Sequence, residues 1–155
     1  MARAAALSIM APVQIAELTI ERWPDVLSLM GRTHGICVRE ADSAERVAAY
    51  LRRNPGMSFV ALHEGRVVGC AMCGHDGRRG YLNHVLVDAA HRRAGIATAL
   101  VTRCLDRLEE QGILKCHLDV LATNEVGKAF WAGRGWKRRD DVQKFSFIRS
   151  DNPNA

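Results

Sequence analysis

Apolar positions along the chain recur with two different periods, and these periods predict where strands and helices lie. Short apolar runs predict strands at residues 13–18, 57–62, 67–73, 81–87, 113–122, at Trp136 and at 142–148. Residues 94–111 carry apolar side chains three and four positions apart and predict the longest helix, which ends at Gly112. Shorter helices are predicted to begin at Pro24, Ser43 and Asn124, residue types that favour helix N-termini.

The predicted elements follow the order β-α-α-β-β-β-α-β-α-β-β. This order predicts one mixed α/β layer with helices on both faces. The four residues from His63 to Arg66 separate two apolar runs and indicate a hairpin. We expect a single domain at residues 13–150, with short tails at 1–12 and 151–155.

Length and composition narrow the class of protein. A chain of 155 residues fits one domain, and 48% hydrophobic with 25% charged residues argues against a disordered or fibrous protein. Every apolar run is shorter than the ~18 residues of a membrane-spanning helix, so we expect no membrane association. The apolar patch within residues 1–12 is short for a signal peptide, which favours a loose tail.

Five cysteines are an odd number, spread through the chain, and indicate reduced thiols in a cytoplasmic protein. Cys70 and Cys73 have the spacing of a zinc or redox pair. They lie inside a predicted strand, however, where residues three apart point to opposite faces. We therefore expect no metal site.

The formal net charge of +5 favours an anionic partner, such as nucleic acid or a phosphorylated small molecule. Basic residues cluster at Arg78-Arg79, His91-Arg92-Arg93 and Lys137-Arg138-Arg139. These clusters contain no interleaved aromatic residues, and aromatic residues make up only 6% of the chain. Nucleic-acid binding is therefore not expected.

The basic cluster at residues 91–93 lies between a predicted strand and the start of the long predicted helix. Helix N-termini expose unpaired backbone amides and attract anions. Gly95 and Ala97 leave room for a diphosphate near the main chain, while Arg92 and Arg93 add positive charge. The segment lacks the Gly-Lys-Ser/Thr of a P-loop and the G-x-G-x-x-G of a dinucleotide site. By spacing alone, both an ordinary surface and an anion site remain open.

The wider pattern around this segment resembles a known family. Arg92-x-x-Gly95-x-Ala97 resembles the acyl-CoA signature R/Q-x-x-G-x-G/A of the GNAT superfamily of N-acetyltransferases. Residues 124–136, Asn-Glu-x-x-x-Ala-Phe-Trp-x-x-x-Gly-Trp, are similar to the superfamily's second pattern, N-x-x-A-x-x-F-Y-x-x-x-G-F. The resemblance extends over residues 13–149, and residues 74–80 add a likeness to small bacterial acetyltransferases of the YpeA-like type.

The resemblance implies a mostly antiparallel sheet in which one strand pair splays apart and binds acetyl-CoA as co-substrate. The cleft would lie between the strands at 81–87 and 113–122, with Val85 and Val87 as main-chain partners of the pantetheine arm. A backbone N–H near Leu86 would polarise the thioester carbonyl. The resemblance places the diphosphate among Arg92, Arg93, Ala94, Gly95, Ile96, Ala97 and Thr98. It places Asn124, Phe130 and Trp131 on the other wall.

The implied reaction is direct acetyl transfer to an amine, which requires a base. Asp119 is our first candidate, and His117 shares its strand face. His84, on the other cleft strand, is the rival, because imidazole titrates near neutral pH. Tyr81 is a weaker candidate. Each of these side chains also has a purely structural interpretation, and ordered water is an alternative base.

Trp131 stands where the superfamily often has a tyrosine that is presumed to protonate the thiolate. An indole N–H donates a hydrogen bond but keeps its proton. This departure leaves a non-catalytic acyl-CoA-binding module as the alternative function.

The acceptor amine is not identified by the sequence. The resemblance assigns its recognition to the loops at residues 33–42 and 138–143, whose mixed charges single out no amine class. The resemblance also allows a homodimer in which residues 142–148 pair across subunits.

Overall fold

The computed structural model describes residues 11–155, which form one five-stranded sheet with helices on its two faces. The strands are β1 (Gln14–Glu17), β2 (Phe59–His63), β3 (Arg66–His75), β4 (Gly80–Val87) and β5 (Cys116–His117). Their spatial order follows the chain, and every neighbouring pair is antiparallel except β4 and β5, which are parallel. The mixed, mostly antiparallel sheet that the sequence predicted is therefore confirmed.

Residues 11–155 also contain four α-helices, of which three lie between strands and the fourth follows β5. They are α1 (Trp23–Gly31), α2 (Ala44–Arg53), α3 (Ile96–Glu110) and α4 (Glu125–Ala132). Two of them begin at the predicted caps. The Ser43 hydroxyl accepts the Arg46 N–H, and the Asn124 side chain accepts the Gly127 N–H. Because these side chains satisfy otherwise unpaired amides, local sequence is sufficient to fix both helix starts.

The predicted hairpin joins β2 to β3. His63 pairs with Arg66, and the two residues between them, Glu64 and Gly65, have φ angles of 50° and 76°. Two consecutive left-handed residues are typical of a type I′ turn, whose twist matches that of the strands.

The two faces of the sheet bury separate apolar cores. α1 and α2 pack on one face, where Trp23, Leu29 and Val47 are almost fully buried. α3 packs on the other face, with Leu100 and Leu108 at its centre. The prediction of helices on both faces is thus confirmed.

Three strand predictions are wrong in whole or in part. Of residues 113–122 only Cys116–His117 pair with β4, and residues 142–148 belong to no ladder. Trp136 likewise lies outside any strand and packs edge-on against Trp131. An apolar pattern predicts a strand only where a partner offers backbone hydrogen bonds, and this part of the chain runs beside β5 without forming them.

The predicted N-terminal tail, residues 1–12, lies almost entirely outside the described residues, and the domain limits at 13 and 150 stay predictions. No helix within residues 11–155 is long and apolar enough to span a bilayer.

Cys70 and Cys73 point to opposite faces of their strand, as the sequence predicted. Cys70 belongs to the core beneath α1 and α2, whereas Cys73 belongs to the core beneath α3. Their side chains therefore leave opposite faces of β3. In the part of the chain that the structure describes, no three metal-ligating side chains form a cluster.

Thiol labelling tests this burial. Cys37 is exposed, whereas Cys70 is fully buried, and burial raises the pKa of Cys70 to about 12. Since the thiolate is the reactive form, we predict that maleimide labels Cys37 rapidly in the native protein and labels all five thiols after denaturation. Mass spectrometry of the native Cys37→Ser variant provides the control, and rapid labelling of that variant would contradict the assigned core.

Candidate active site

A cleft opens where β4 and β5 separate. The two strands pair only at Gly80 with Cys116 and at Tyr81 with His117, beside a hydrogen bond from the Gly80 N–H to the Lys115 carbonyl. β4 continues to Val87, but no further pairing with β5 is present in the described residues. The edge of β4 beyond Tyr81 is therefore free to bind another extended group.

A bulge interrupts β4 inside this cleft. Cys70 pairs with Leu86 and Met72 pairs with Asn83, so Ala71 alone faces two residues, His84 and Val85. His84 has a φ angle of 47°, in the left-handed region. A non-glycine residue in this region costs on the order of 1–3 kcal/mol, and such strain is concentrated at functional sites.

The main-chain direction of β4 identifies which groups face the cleft. The Asp88 N–H donates to the Val68 carbonyl at 2.8 Å, towards β3. Because main-chain groups alternate along a strand, Leu86 also faces β3, while Val85 and Val87 face the open side. The Val87 carbonyl accepts a hydrogen bond from Arg92 Nε at 3.2 Å. The geometry therefore favours Val85 over Leu86 as the residue whose N–H reaches a ligand in the cleft.

The turn that follows β4 is held by Asp88. Its side chain accepts the Ala90 N–H and forms a 2.9 Å ion pair with Arg32. The Arg32 hydrogen bond, followed by that of the Ala90 N–H, holds the pKa of Asp88 below its usual range. Asp88 thus stays ionised and fixes the path of the chain into α3.

The N-terminus of α3 carries the predicted anion-binding segment. Gly95 caps the helix with a φ angle of 76°, and Arg93 is also left-handed, with a φ angle of 62°. The first backbone hydrogen bond of the helix runs from the Ala99 N–H to the Gly95 carbonyl, at 3.0 Å. The amides of residues 96–98 precede it and lack acceptors within the helix, so they are available to a phosphate.

Arg134 joins this segment, although the sequence analysis did not single it out. Its Nε donates to Thr98 Oγ1 at 2.9 Å, and its guanidinium lies 3.7 Å from the centroid of the Phe130 ring. Stacking of this kind fixes a guanidinium in place. Arg134 occupies a variable position of the motif, so only the tertiary structure brings its charge to the start of α3.

The side chains expected on the second wall have structural contacts of their own. Phe130 and Trp131 meet edge to face with centroids 5.0 Å apart, and Trp131 packs against the core beneath α3. The Asn124 side chain is engaged in capping α4, where its Oδ1 accepts the Gly127 N–H at 2.9 Å. Trp131 therefore contributes packing at this seam.

The four candidate bases do not form one cluster. Tyr81 and His117 lie on adjacent strands, with ring centroids 5.8 Å apart. Asp119 lies beyond β5, where its 73% exposed side chain forms an ion pair with Lys144. His84 lies on the bulge, and its Nε2 is 2.6 Å from Asp42 Oδ1. Of the four, only His84 contacts a buried carboxylate.

His84 also lines a cavity of about 480 Å³ between β4 and the segment that precedes α2. Its lining includes Glu40, Asp42, Arg46, Tyr50, Asn83 and Ala155. The C-terminal segment reaches this region, because Asn152 Nδ2 donates to Glu40 Oε2 at 2.9 Å. The bulge thus has a groove towards β5 on one side and the cavity with the His84–Asp42 pair on the other.

Comparison with known proteins gives one family. A family model described as the acetyltransferase (GNAT) family matches residues 23–136. An acetyltransferase of Pectobacterium atrosepticum is 37% identical over 76 residues, which are 49% of this chain and 54% of that protein. N-alpha-acetyltransferase 30 of Schizosaccharomyces pombe is 29% identical over 122 residues, which are 72% of this chain and 81% of that protein. The chain thus spans about half the length of the bacterial relative.

A solved structure shares the fold. The PaiA N-acetyltransferase from Thermoplasma acidophilum, in complex with coenzyme A, aligns with a TM-score of 0.76. The alignment covers 84% of this chain and 93% of that one at 20% identity. At this identity the likeness shows the fold alone.

We predict that Arg134→Leu weakens the binding of coenzyme A roughly fivefold, or about 1 kcal/mol, because it removes a fixed cation from the start of α3. Isothermal titration calorimetry at low and high salt measures this effect, which screening reduces. Arg107→Leu removes the same charge from the other end of α3 and serves as the control. Equal affinities for the two variants would contradict a role for Arg134.

Proposed function

The chain belongs to the acetyltransferase (GNAT) family, and from this premise we propose that it transfers the acetyl group of acetyl-CoA directly to a primary amine. The observation that carries the proposal is the cleft between β4 and β5, which ends at the unpaired amides of α3. Acetyl-CoA is the proposed co-substrate, and the free edge of β4 and the positive charge at the start of α3 suit it.

Each part of the coenzyme has a complementary group along this path. The free edge at Val85 suits the amide-containing pantetheine arm, which would bind as an added strand. The amides of residues 96–98, with Arg92, Arg93 and Arg134, suit the diphosphate. The Val85 N–H is our choice for the donor that polarises the thioester carbonyl.

A non-catalytic acyl-CoA-binding module is the second candidate function. Trp131 favours it, because indole keeps its proton at neutral pH and does not protonate the leaving thiolate. A leaving thiolate also accepts a proton from water or from the attacking amine, so we retain the enzyme as the first proposal.

The acceptor amine is proposed to enter from the cavity beside His84, on the other side of the bulge from the coenzyme groove. The relative from Schizosaccharomyces pombe is named as an N-alpha-acetyltransferase, which makes an α-amine the first acceptor class to test. The five cysteines are all free thiols, which supports our inference of a cytoplasmic location.

An amine panel tests the enzyme against the binding module. We predict that the protein releases coenzyme A thiol from acetyl-CoA when peptides with free α-amines, lysine side chains, polyamines or aminoglycosides are supplied one at a time. Thiol release is followed with a chromogenic disulfide, and mass spectrometry identifies the acetylated amine. Tight binding of coenzyme A without acetylation of any amine would support the binding module instead.

The placement of the diphosphate is tested at Arg92 and Gly95. We predict that Arg92→Glu and Gly95→Val each weaken coenzyme A binding tenfold or more, about 1.4 kcal/mol. The first variant reverses a charge, and the second forces a β-branched residue into a left-handed conformation. Gly112→Val places the same strain at the other end of α3 and should leave the affinity unchanged. Unchanged affinity in both test variants would contradict this placement.

A further inference from the structure

We propose that buried Asp42 positions His84 as the base that takes a proton from the acceptor ammonium, so that the two residues act as a pair. This inference rests on the proposed acetyl transfer and adds the residue that orients its base. Asp42 lies far from His84 in sequence and outside every motif, and only the fold brings them together.

Asp42 is held rigidly on three sides. Its Oδ2 accepts the Arg39 N–H at 2.7 Å, and its main-chain carbonyl accepts the indole N–H of fully buried Trp23 at 2.8 Å. The remaining oxygen, Oδ1, faces His84 Nε2 at 2.6 Å. With only 6% of its side chain exposed, Asp42 has no freedom to turn away. A carboxylate fixed in this way determines the orientation of the imidazole it contacts.

The hydrogen bond to Asp42 also determines which nitrogen of His84 is basic. An ionised carboxylate only accepts hydrogen bonds, so Nε2 must carry the hydrogen. Nδ1 then keeps a lone pair that accepts a proton. The His84 side chain is 24% exposed and lines the cavity, so its ring remains within reach of an acceptor. The strained backbone of the bulge is what directs this ring towards the cavity and away from the sheet.

Other charged groups around the cavity leave this pair undisturbed. Arg46 lies 3.9 Å from Glu40, which also accepts the Asn152 amide, so the Glu40 carboxylate is already engaged. Burial raises the pKa of Tyr50 well above its usual range, which keeps its hydroxyl protonated. Among the described residues, Asp42 is thus the one carboxylate that contacts the His84 ring.

The proton balance of the step is simple. An acceptor ammonium gives one proton to His84 Nδ1, and the imidazolium formed is stabilised by Asp42. The amine nitrogen then attacks the thioester carbon, the carbon–sulfur bond breaks, and a second proton passes from nitrogen to the departing sulfur. His84 releases its proton to solvent, so each turnover yields an amide, a thiol and one proton.

Asp119 is less suited to this role. Its carboxylate is largely exposed and is already engaged in an ion pair with Lys144. It also lies beyond the two residues at which β5 contacts β4, whereas His84 lies on the bulge itself.

The Asp42→Asn variant tests the pair with little change of shape. The Arg39 N–H still needs an acceptor, so the amide oxygen turns to it and the amide nitrogen faces His84. Nε2 must then accept, and the hydrogen moves to Nδ1, which no longer takes a proton from substrate. We expect kcat to fall 100-fold or more and the KM for acetyl-CoA to change less than twofold.

A further readout separates positioning from structural support. Nitrogen-15 NMR should show His84 with its hydrogen on Nε2 in the wild type and on Nδ1 in the variant. Asp106→Asn, at an exposed site on α3, controls for loss of a carboxylate and should match the wild type.

The outcomes are distinct. A folded Asp42→Asn protein with wild-type kcat would overturn the pair while leaving acetyl transfer intact. If that variant does not fold, His84→Gln and the wild-type NMR spectrum decide. The pair is supported if His84→Gln loses kcat and the wild-type spectrum shows the His84 hydrogen on Nε2. It is overturned if His84→Gln retains kcat, or if the wild-type hydrogen lies on Nδ1. A wild type that binds acetyl-CoA but acetylates no amine would overturn the proposed function itself.

Discussion

The candidate site depends on the separation of the parallel strands β4 and β5 after a short paired stretch. β4 and β5 share backbone contacts at only two residue pairs, and beyond them β4 has an edge inside the sheet. Buried main-chain groups without partners are costly, so an open strand edge favours the binding of another extended group. Arg134 joins α3 to α4, because it donates hydrogen bonds to Thr98 Oγ1 and to the Phe130 carbonyl. The unpaired edge of β4 therefore costs free energy, and a ligand that binds as an added strand would reduce this cost.

The bulge at His84 and Val85 links this cleft to the opposite face of the sheet. One residue of β3 faces two of β4, and the extra residue aims the His84 ring at the cavity near α2. The two sides also differ in charge. The start of α3 gathers free amides and arginines, whereas the cavity contains the buried carboxylate of Asp42. These charges suit the proposed phosphorylated donor on one side of the strand and the proposed cationic acceptor on the other.

The elements that depend on local interactions were predicted correctly. Ser43 and Asn124 each cap a helix by accepting the amide of the residue three positions later. The turn at Glu64 and Gly65 depends only on the backbone conformations of these two adjacent residues. The strand predicted at residues 142–148 was wrong because its alternating pattern was local, while a strand also requires a distant partner. Arg134 was missed for the same reason, since it lies at a variable position of its motif. Asp42 was placed only in the acceptor loop at residues 33–42, and its contact with His84 was not predicted.

The sequence by itself therefore determined the order of the elements from β1 to α4, the family and the position of the basic segment at the start of α3, because caps, turns and the Arg92-x-x-Gly95 spacing act over a few residues. Only the tertiary structure decided how far β5 stays paired, which main-chain groups of β4 face the cleft, and which carboxylate contacts His84. These features depend on hydrogen bonds between residues far apart in the chain. Neither hydrophobic periodicity nor a motif predicts such contacts, because they form only when both cores pack against the sheet.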